Sequence, residues 1–333
     1  MDWNKGFSSS YFFSKVDPIS WRDNGEFQVT DGSIARDSSG DLLQSADVTM
    51  SSDPGEAWIR IYLLVRQNGE QLRIPLFTGL TSDPTRNIDG RRNSFDVACY
   101  STLKPCSDIL LPAGWYTPSG IAGAQMVKNL LKDTPARITY EDNSPALSTY
   151  IVAEQGETKL SMAQKILSAI GWEMIIDGNG DIFIRKVPTE FSVSFSSRYN
   201  DILELSASDK KDWFSCPNVL RVVNNDVSMT VRDDDPDSPL STISRGREIW
   251  AEERNANLTE GETLGHYAHR RLKELQSPVR NISYHRRFMP DIYPGDIIRL
   301  DYPENGLVGE YKIDSQNIQL THGASTEETV HET

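Results

Sequence analysis

The sequence predicts an α+β fold that is mainly β and is laid out in three consecutive parts. Residues 1–110 read as β, 111–189 as a small α+β module, and 190–322 as β again with one inserted helix; a polar tail, 323–333, follows. Three observations carry this reading. Apolar residues alternate along 57–66 ("AWIRIYLLVR") and run into Asn68-Gly69, a hairpin pair in which both residues accept positive φ. Two stretches, 117–133 and 158–171, repeat apolar residues at helical spacing. The run 293–302 opens with Pro294-Gly295, a type II turn pair, and continues as alternating strand.

The elements follow in order. Ile59, Ile61, Leu63 and Val65 share one strand face, and "QLRIPLFTGL" (71–80) returns after the Asn-Gly turn. Asp89-Gly90 offers a further turn before the strand "SFDVACYS" (94–101). Several strands with tight turns imply a small sandwich or barrel. In the middle part, Ser119 is placed to cap a helix whose stripe is Ile121, Met126, Val127, Leu130 and Leu131. Thr158 caps the second helix, with Leu160, Ala163, Ile166, Leu167 and Ile170 facing inward and Gly171 at its left-handed end. In the last part, "NVLRVVNND" (218–226) reads as a strand and 259–277 as a helix capped near Thr259. "PENG" (303–306) turns the chain, "LVGEYKIDS" (307–315) returns, and "QNIQLTH" (316–322) makes a third strand.

Asp177, Asn179 and Asp181, in "DGNGD", are the residues that most resemble a metal site. Oxygen-bearing residues at alternate positions open a calcium loop, but such a loop needs Gly at its sixth position and Glu at its twelfth. Counted from Asp177, those places hold Ile182 and Pro188. The flanking runs Met174-Ile175-Ile176 and Ile182-Phe183-Ile184 are β-prone, so the segment reads as a hairpin turn.

Other chemistry finds less support. A net charge of −14 argues against a nucleic-acid-binding surface, though not against a wall that DNA passes without sticking. "MDWNKGFSSSYFF" lacks the order of a signal peptide, and the longest apolar runs are too short to cross a membrane. Cys99, Cys106 and Cys216 show no zinc spacing and no nucleophile signature. Of the five histidines, His266 and His269 could share a helix face, but a zinc protease motif needs Glu after the first His and Tyr267 stands there; His285, His322 and His331 are isolated. Asp233, Asp234, Asp235 and Asp237 lie in a proline-flanked run that reads as a solvated loop rather than a cation site. Trp115 and Tyr116 read as packing ahead of a helix rather than a sugar platform. No cofactor is expected, and no catalytic residue is assigned.

The order of elements resembles the baseplate hub proteins of phage tails, the family of the contractile-tail hub and the PBSX-type late-control tail protein. Three segments carry the resemblance: 73–103, with Phe77-Thr78-Gly79 ending a strand before a turn and a second strand; 156–186, a helix ending in Gly171-Trp172 before the Asp177 hairpin; and 292–323, with the Pro294-Gly295-Asp296 turn and a closing meander. It implies two β-barrel-like, tail-tube-like domains, near 1–110 and 190–322, joined by the α+β domain. It further implies a homotrimeric ring of pseudo-sixfold symmetry, which adapts a sixfold tail tube to a threefold spike. The implied partners are the tail tube or its initiator above, the central spike below and wedge proteins around, with no membrane anchor. The implied setting is the virion tail baseplate, or a tailocin-like contractile injection particle, made in the bacterial host cytoplasm. A structural rather than enzymatic role follows. Two rivals stay open beside it: a tail-associated peptidoglycan hydrolase, and a calcium-dependent carbohydrate-binding β protein.

Overall fold

Asn68 and Gly69 both hold positive φ (51° and 84°), so the strands Trp58–Gln67 and Glu70–Thr81 are joined by the expected tight turn. In this computed structural model, residues 2–3, 5–90, 92–118, 120–147, 150–196, 203–211, 213–224, 227–254, 263–276, 280–321 and 323–333 are described. The expected helix caps Ser119 and Thr259, and His322, lie outside them.

The first part contains β1 (Ser8–Val16), β2 (Asp23–Glu26), β3 (Val29–Asp37), β4 (Gln44–Met50), β5 (Trp58–Gln67), β6 (Glu70–Thr81), β7 (Thr85–Asp89) and β8 (Arg92–Ser101). Ile59, Ile61, Leu63 and Val65 are fully buried on one face of β5, against Phe77 of β6 and Val97 of β8 among others. Burial of each such side chain contributes about 1.5–3 kcal/mol. The other face of β5 is buried as well: Trp58, Arg60 and Tyr62 are each less than 10% exposed.

The middle part holds α1 (Lys104–Ser107), α2 (Gly123–Leu130), β9 (Ile138–Tyr140), α3 (Lys159–Ile170), β10 (Trp172–Ile176) and β11 (Ile182–Lys186). α2 is shorter than the 117–133 stretch, but Met126, Val127, Leu130 and Leu131 are buried as its stripe requires. α3 begins at the predicted cap. The Thr158 hydroxyl accepts from the Ser161 amide, the Ser161 hydroxyl accepts from the Thr158 amide, and Gly171 closes the helix at φ 67°. β10 and β11 form the predicted hairpin, and β9 adds to β11 in parallel. The two helices and this small sheet share one core around Leu103, Leu131, Ile166 and Ile182.

The last part brings β12 (Phe191–Ser196), β13 (Leu203–Lys211), β14 (Val219–Asn224), β15 (Val227–Arg232), α4 (Thr242–Arg245), β16 (Trp250–Arg254), α5 (Leu264–Leu275), β17 (Arg280–Arg286), β18 (Ile297–Tyr302), β19 (Leu307–Gln319) and β20 (Thr326–Glu332). Three expectations change here. The strands predicted over 307–315 and 316–322 are one continuous β19, because no residue between them breaks the extended run. The 323–333 segment, read as a polar tail, is built into the sheet. It forms β20, in which Thr326, Glu328 and Val330 are fully buried. The inserted helix starts later than predicted, with Thr263 as the cap that accepts from the His266 amide.

The first and last β parts are not two separate closed barrels. The first half of β19 pairs with β18 and its second half with β3, so both ends of the chain enter one sheet. That sheet runs openly as β13-β17-β20-β19-β3-β4-β8-β6-β5-β1-β2. The fold is mainly β and of α+β type, with contacts that divide it into two units. One comprises Met1–Ala207, Ser283–His331 and Thr333; the other comprises Ser208–Ile282 and Glu332. In the second unit, α5 covers one face of the three-stranded sheet β15-β14-β16 through Tyr267, Ala268 and Leu272.

The reason β20 is anchored is a buried polar cluster. Arg286 donates to Glu328 at 2.6 Å, Tyr284 donates to the other carboxylate oxygen at 2.8 Å, and the Gln316 amide donates at 2.6 Å. Arg286 and Glu328 are 1% and 0% exposed. Removing one member of a buried pair leaves an uncompensated charge and costs about 3–5 kcal/mol. Glu328→Ala is therefore expected to lower the unfolding free energy by ~3–5 kcal/mol in urea denaturation; a loss within error of zero would show that the last strand is not integral to the sheet.

Candidate functional site

"DGNGD" sits at the tip of the β10–β11 hairpin, and the tip is inserted against the large sheet. The Gly180 amide donates to the Asp177 carbonyl at 3.0 Å and closes the turn. Each carbonyl from 177 to 180 also receives a side-chain donor from the sheet or its loops. Gln44 on β4 reaches that of Asp177 at 3.5 Å, and Thr78 on β6 that of Gly178 at 2.8 Å. Arg60 on β5 and Trp21 both reach Asn179 at 3.3 Å, and Thr102 reaches Gly180 at 2.8 Å. The hairpin thus covers Arg60 on the second face of β5, while Trp58 packs edge-on against Trp21 and Tyr62 donates to Asp23.

Both glycines have steric reasons. A Cβ on Gly178 would lie 1.9 Å from the Pro75 carbonyl oxygen. Gly180 has φ 83°, and a Cβ there would meet the Thr102 methyl at 2.6 Å. The sequence marks the turn but gives no sign of what it docks into, since the donors are spread from Trp21 to Thr102.

The three metal candidates come together at this tip, but the carboxylates of Asp177 and Asp181 are already engaged. Asp177 accepts from the Asp181 amide at 2.9 Å and from the Asn179 side chain at 3.4 Å. Asp181 pairs with Arg137 at 2.9 Å. Burial, then the nearby Asp181 charge, pushes the Asp177 carboxyl above its ordinary value of 3.8, while the hydrogen bonds it accepts pull the other way. Among the described residues no group of three or more His, Cys, Asp or Glu side chains is gathered as a metal site.

The remaining candidates lie apart. In the 233–237 loop, Asp233 accepts from Ser238 at 2.7 Å and Gln276 at 2.8 Å, Asp234 is bonded to Thr242, and Asp235 accepts from the Asp237 amide at 2.9 Å. These bonds shape the loop and bind it to its own helices. His266 and His269 are both exposed on α5. Cys99 and Cys106 are buried, and desolvation pushes their thiols up to about 12 and about 11, the opposite of what a nucleophile requires. Trp115 packs against the helical core, while Tyr116 is exposed and meets Tyr150 edge-on, with ring centroids 6.2 Å apart.

One feature of the surface was not legible along the chain. Asp31, Asp47, Asp83 and Asp96 line an open groove of about 460 Å³ that no Lys or Arg borders. The register places Asp31 opposite Thr49 and Thr49 opposite Asp96, so residues far apart in sequence share one row across β3, β4 and β8. No helix among the described residues is long and apolar enough to cross a membrane.

Two substitutions test the joint. Gly178→Ala must displace backbone on both sides and is expected to cost ~1–3 kcal/mol or more in chemical denaturation. For Asp177 the sign follows from linkage: its folded-state carboxyl holds a proton to higher pH than the unfolded one, so the ionised form weighs against folding at neutral pH. The stability of Asp177→Asn relative to the parent is expected to rise as pH increases from 3.8 towards neutrality, measured by parallel urea titrations.

No protein family and no curated protein matches the chain by sequence. Solved structures do. The tail protein from Neisseria meningitidis MC58 superposes with a TM-score of 0.67 at 14% identity, over 98% of this chain and 97% of that one. The 43 kDa tail protein of prophage MuSo2 from Shewanella oneidensis gives 0.64 at 15% identity, over 98% of both chains. Prophage tail protein gp18 from Listeria monocytogenes EGD-e gives 0.54 at 13% identity, over 97% and 94%. The chain has the fold of these phage tail proteins from end to end.

Proposed function

We propose that the protein is a structural hub of a phage-tail baseplate or tail-like particle. The observation that carries this is the end-to-end match: nearly the whole chain superposes on nearly the whole of two tail proteins. In this reading three copies form a ring of pseudo-sixfold symmetry between the sixfold tail tube and the threefold spike, and line the channel.

Open strand edges support assembly. β2 and β7 are exposed along their whole lengths, and among the described residues each pairs on one side only, with β1 and β8 respectively. Exposed edges invite pairing with another chain unless they are covered, and a neighbouring copy would cover them. A closed ring of identical subunits uses one heterologous contact repeatedly.

The charge supports a channel role. A net −14 and the acidic groove on β3, β4 and β8 disfavour phosphate contact, so DNA could pass without binding. The saturated carbonyls and carboxylates at Asp177, Asn179 and Asp181 suit a mechanical joint better than a calcium site. No catalytic role is proposed for any residue.

The test is the absolute mass in solution, by light scattering after gel filtration. Three chains of 37.5 kDa give about 112 kDa, the expected result, and imaging of that species should show a threefold ring. A chain that stays at 37.5 kDa at high concentration, alone and when co-expressed with its tube and spike neighbours, would overturn the hub reading.

A further inference from the structure

Arg36 is a buried cation with an incomplete set of partners. It is 6% exposed and forms no ion pair with a carboxylate among the described residues. One terminal nitrogen, Nη2, donates to the Leu76 carbonyl at 2.7 Å, and Nη1 reaches the Gln316 amide oxygen at 3.4 Å. Its Nε has no hydrogen-bond partner among the described residues. Gln44 stands directly opposite Arg36 in the β3–β4 register, is 5% exposed, and leaves its Oε1 without a partner. A buried donor and a buried acceptor on facing residues are thus left without partners among the described residues, each at a desolvation cost of about 1–3 kcal/mol if nothing joins them.

Both side chains line the same small cavity of about 20 Å³, walled by Leu43, by Met174 and Ile176 of β10, and by Tyr293. That volume admits one water molecule, which needs roughly 10–15 Å³ by the same measure. Turning the Gln44 amide over does not resolve the problem. It would set Oε1 against the Asp177 carbonyl, which Nε2 now approaches as a donor. A halide or other small anion could accept from Arg36 but would be repelled by the Gln44 oxygen. A molecule that accepts from one group and donates to the other is required.

We infer that this cavity is a binding site for a single ordered water, which accepts from Arg36 Nε and donates to Gln44 Oε1. The water completes the contact between the β3–β4 pair and the hairpin. Gln44 then holds the Asp177 carbonyl through Nε2 and the water through Oε1, so the same side chain serves both. The inference concerns the folded chain alone and stands whether or not the protein is a hub.

A crystal structure of the full chain, refined to a resolution that shows single waters, is the test. The expected result is one solvent peak at ~2.7–3.2 Å from both Arg36 Nε and Gln44 Oε1. An empty cavity, or an Arg36 side chain turned away from it, would overturn the inference. So would a peak that is replaced by bromide in an anomalous map from crystals soaked in that salt. Gln44→Met keeps the volume but removes the acceptor; it is expected to lose the peak and to lower Tm by a few degrees, as ~1 kcal/mol does in a domain of this size. A peak retained in that variant at full occupancy would show that Gln44 does not hold the water. If the variant does not fold, the parent structure alone decides.

Discussion

Four consecutive backbone carbonyls at the tip of one hairpin join the helical module to the large sheet. A turn inserted against a sheet buries strongly polar groups, and each would destabilise the fold if left unpaired. Here Gln44, Thr78, Arg60, Trp21 and Thr102 supply the donors. The rest of the architecture is consistent with this constraint. Glycine is needed at 178 because the backbone of β6 lies against it, and again at 180 because φ is positive. Thr78 is fully buried and serves twice, donating to Gly178 while accepting from Arg60 Nε at 2.9 Å. Arg60 can be buried on the second face of β5 because the hairpin arrives to meet it.

The second organising feature is β19. It pairs with β18 in one half and with β3 in the other, which makes the N-terminal and C-terminal parts of the chain a single sheet. Such long-range pairing needs internal support, and the Arg286–Glu328–Tyr284–Gln316 cluster gives it on the strands at that end. Buried charges of this kind add little net stability compared with a well-packed apolar core, but they penalise a slipped register heavily. Arg36 extends the same logic towards β3 through Gln316.

The sheet carries an acidic groove on β3, β4 and β8 and exposed strands at β2 and β7. Burial raises the Cys99 and Cys106 thiols, and Asp177 and Asp235 accept hydrogen bonds from amides of their own loops. The likeness to tail proteins at 14–15% identity shows how little of the sequence the fold itself demands.

Local chemistry was legible in the sequence wherever a few adjacent residues decide the outcome. The Thr158–Ser161 cap, the Gly171 stop, the Asn68-Gly69 turn and the Tyr293–Asp296 turn, closed at 3.1 Å with Gly295 at φ 97°, all depend on neighbours along the chain. The Asp177 hairpin was legible for the same reason, although its docking was not. Pairing between distant segments was decided only by the tertiary structure. The "THGASTEETVHET" end reads as polar, yet Glu328 is buried because Arg286, Tyr284 and Gln316 meet it from other strands. The absence of a turn signal between Ser315 and Gln316 is a weak cue for one long β19, and only its two partners, β18 and β3, settle it. Sequence alone determined the turns, caps and apolar faces, because those are set by φ and by local hydrogen bonds. Which faces meet, and which polar groups are buried together, depended on long-range contacts that no short window contains.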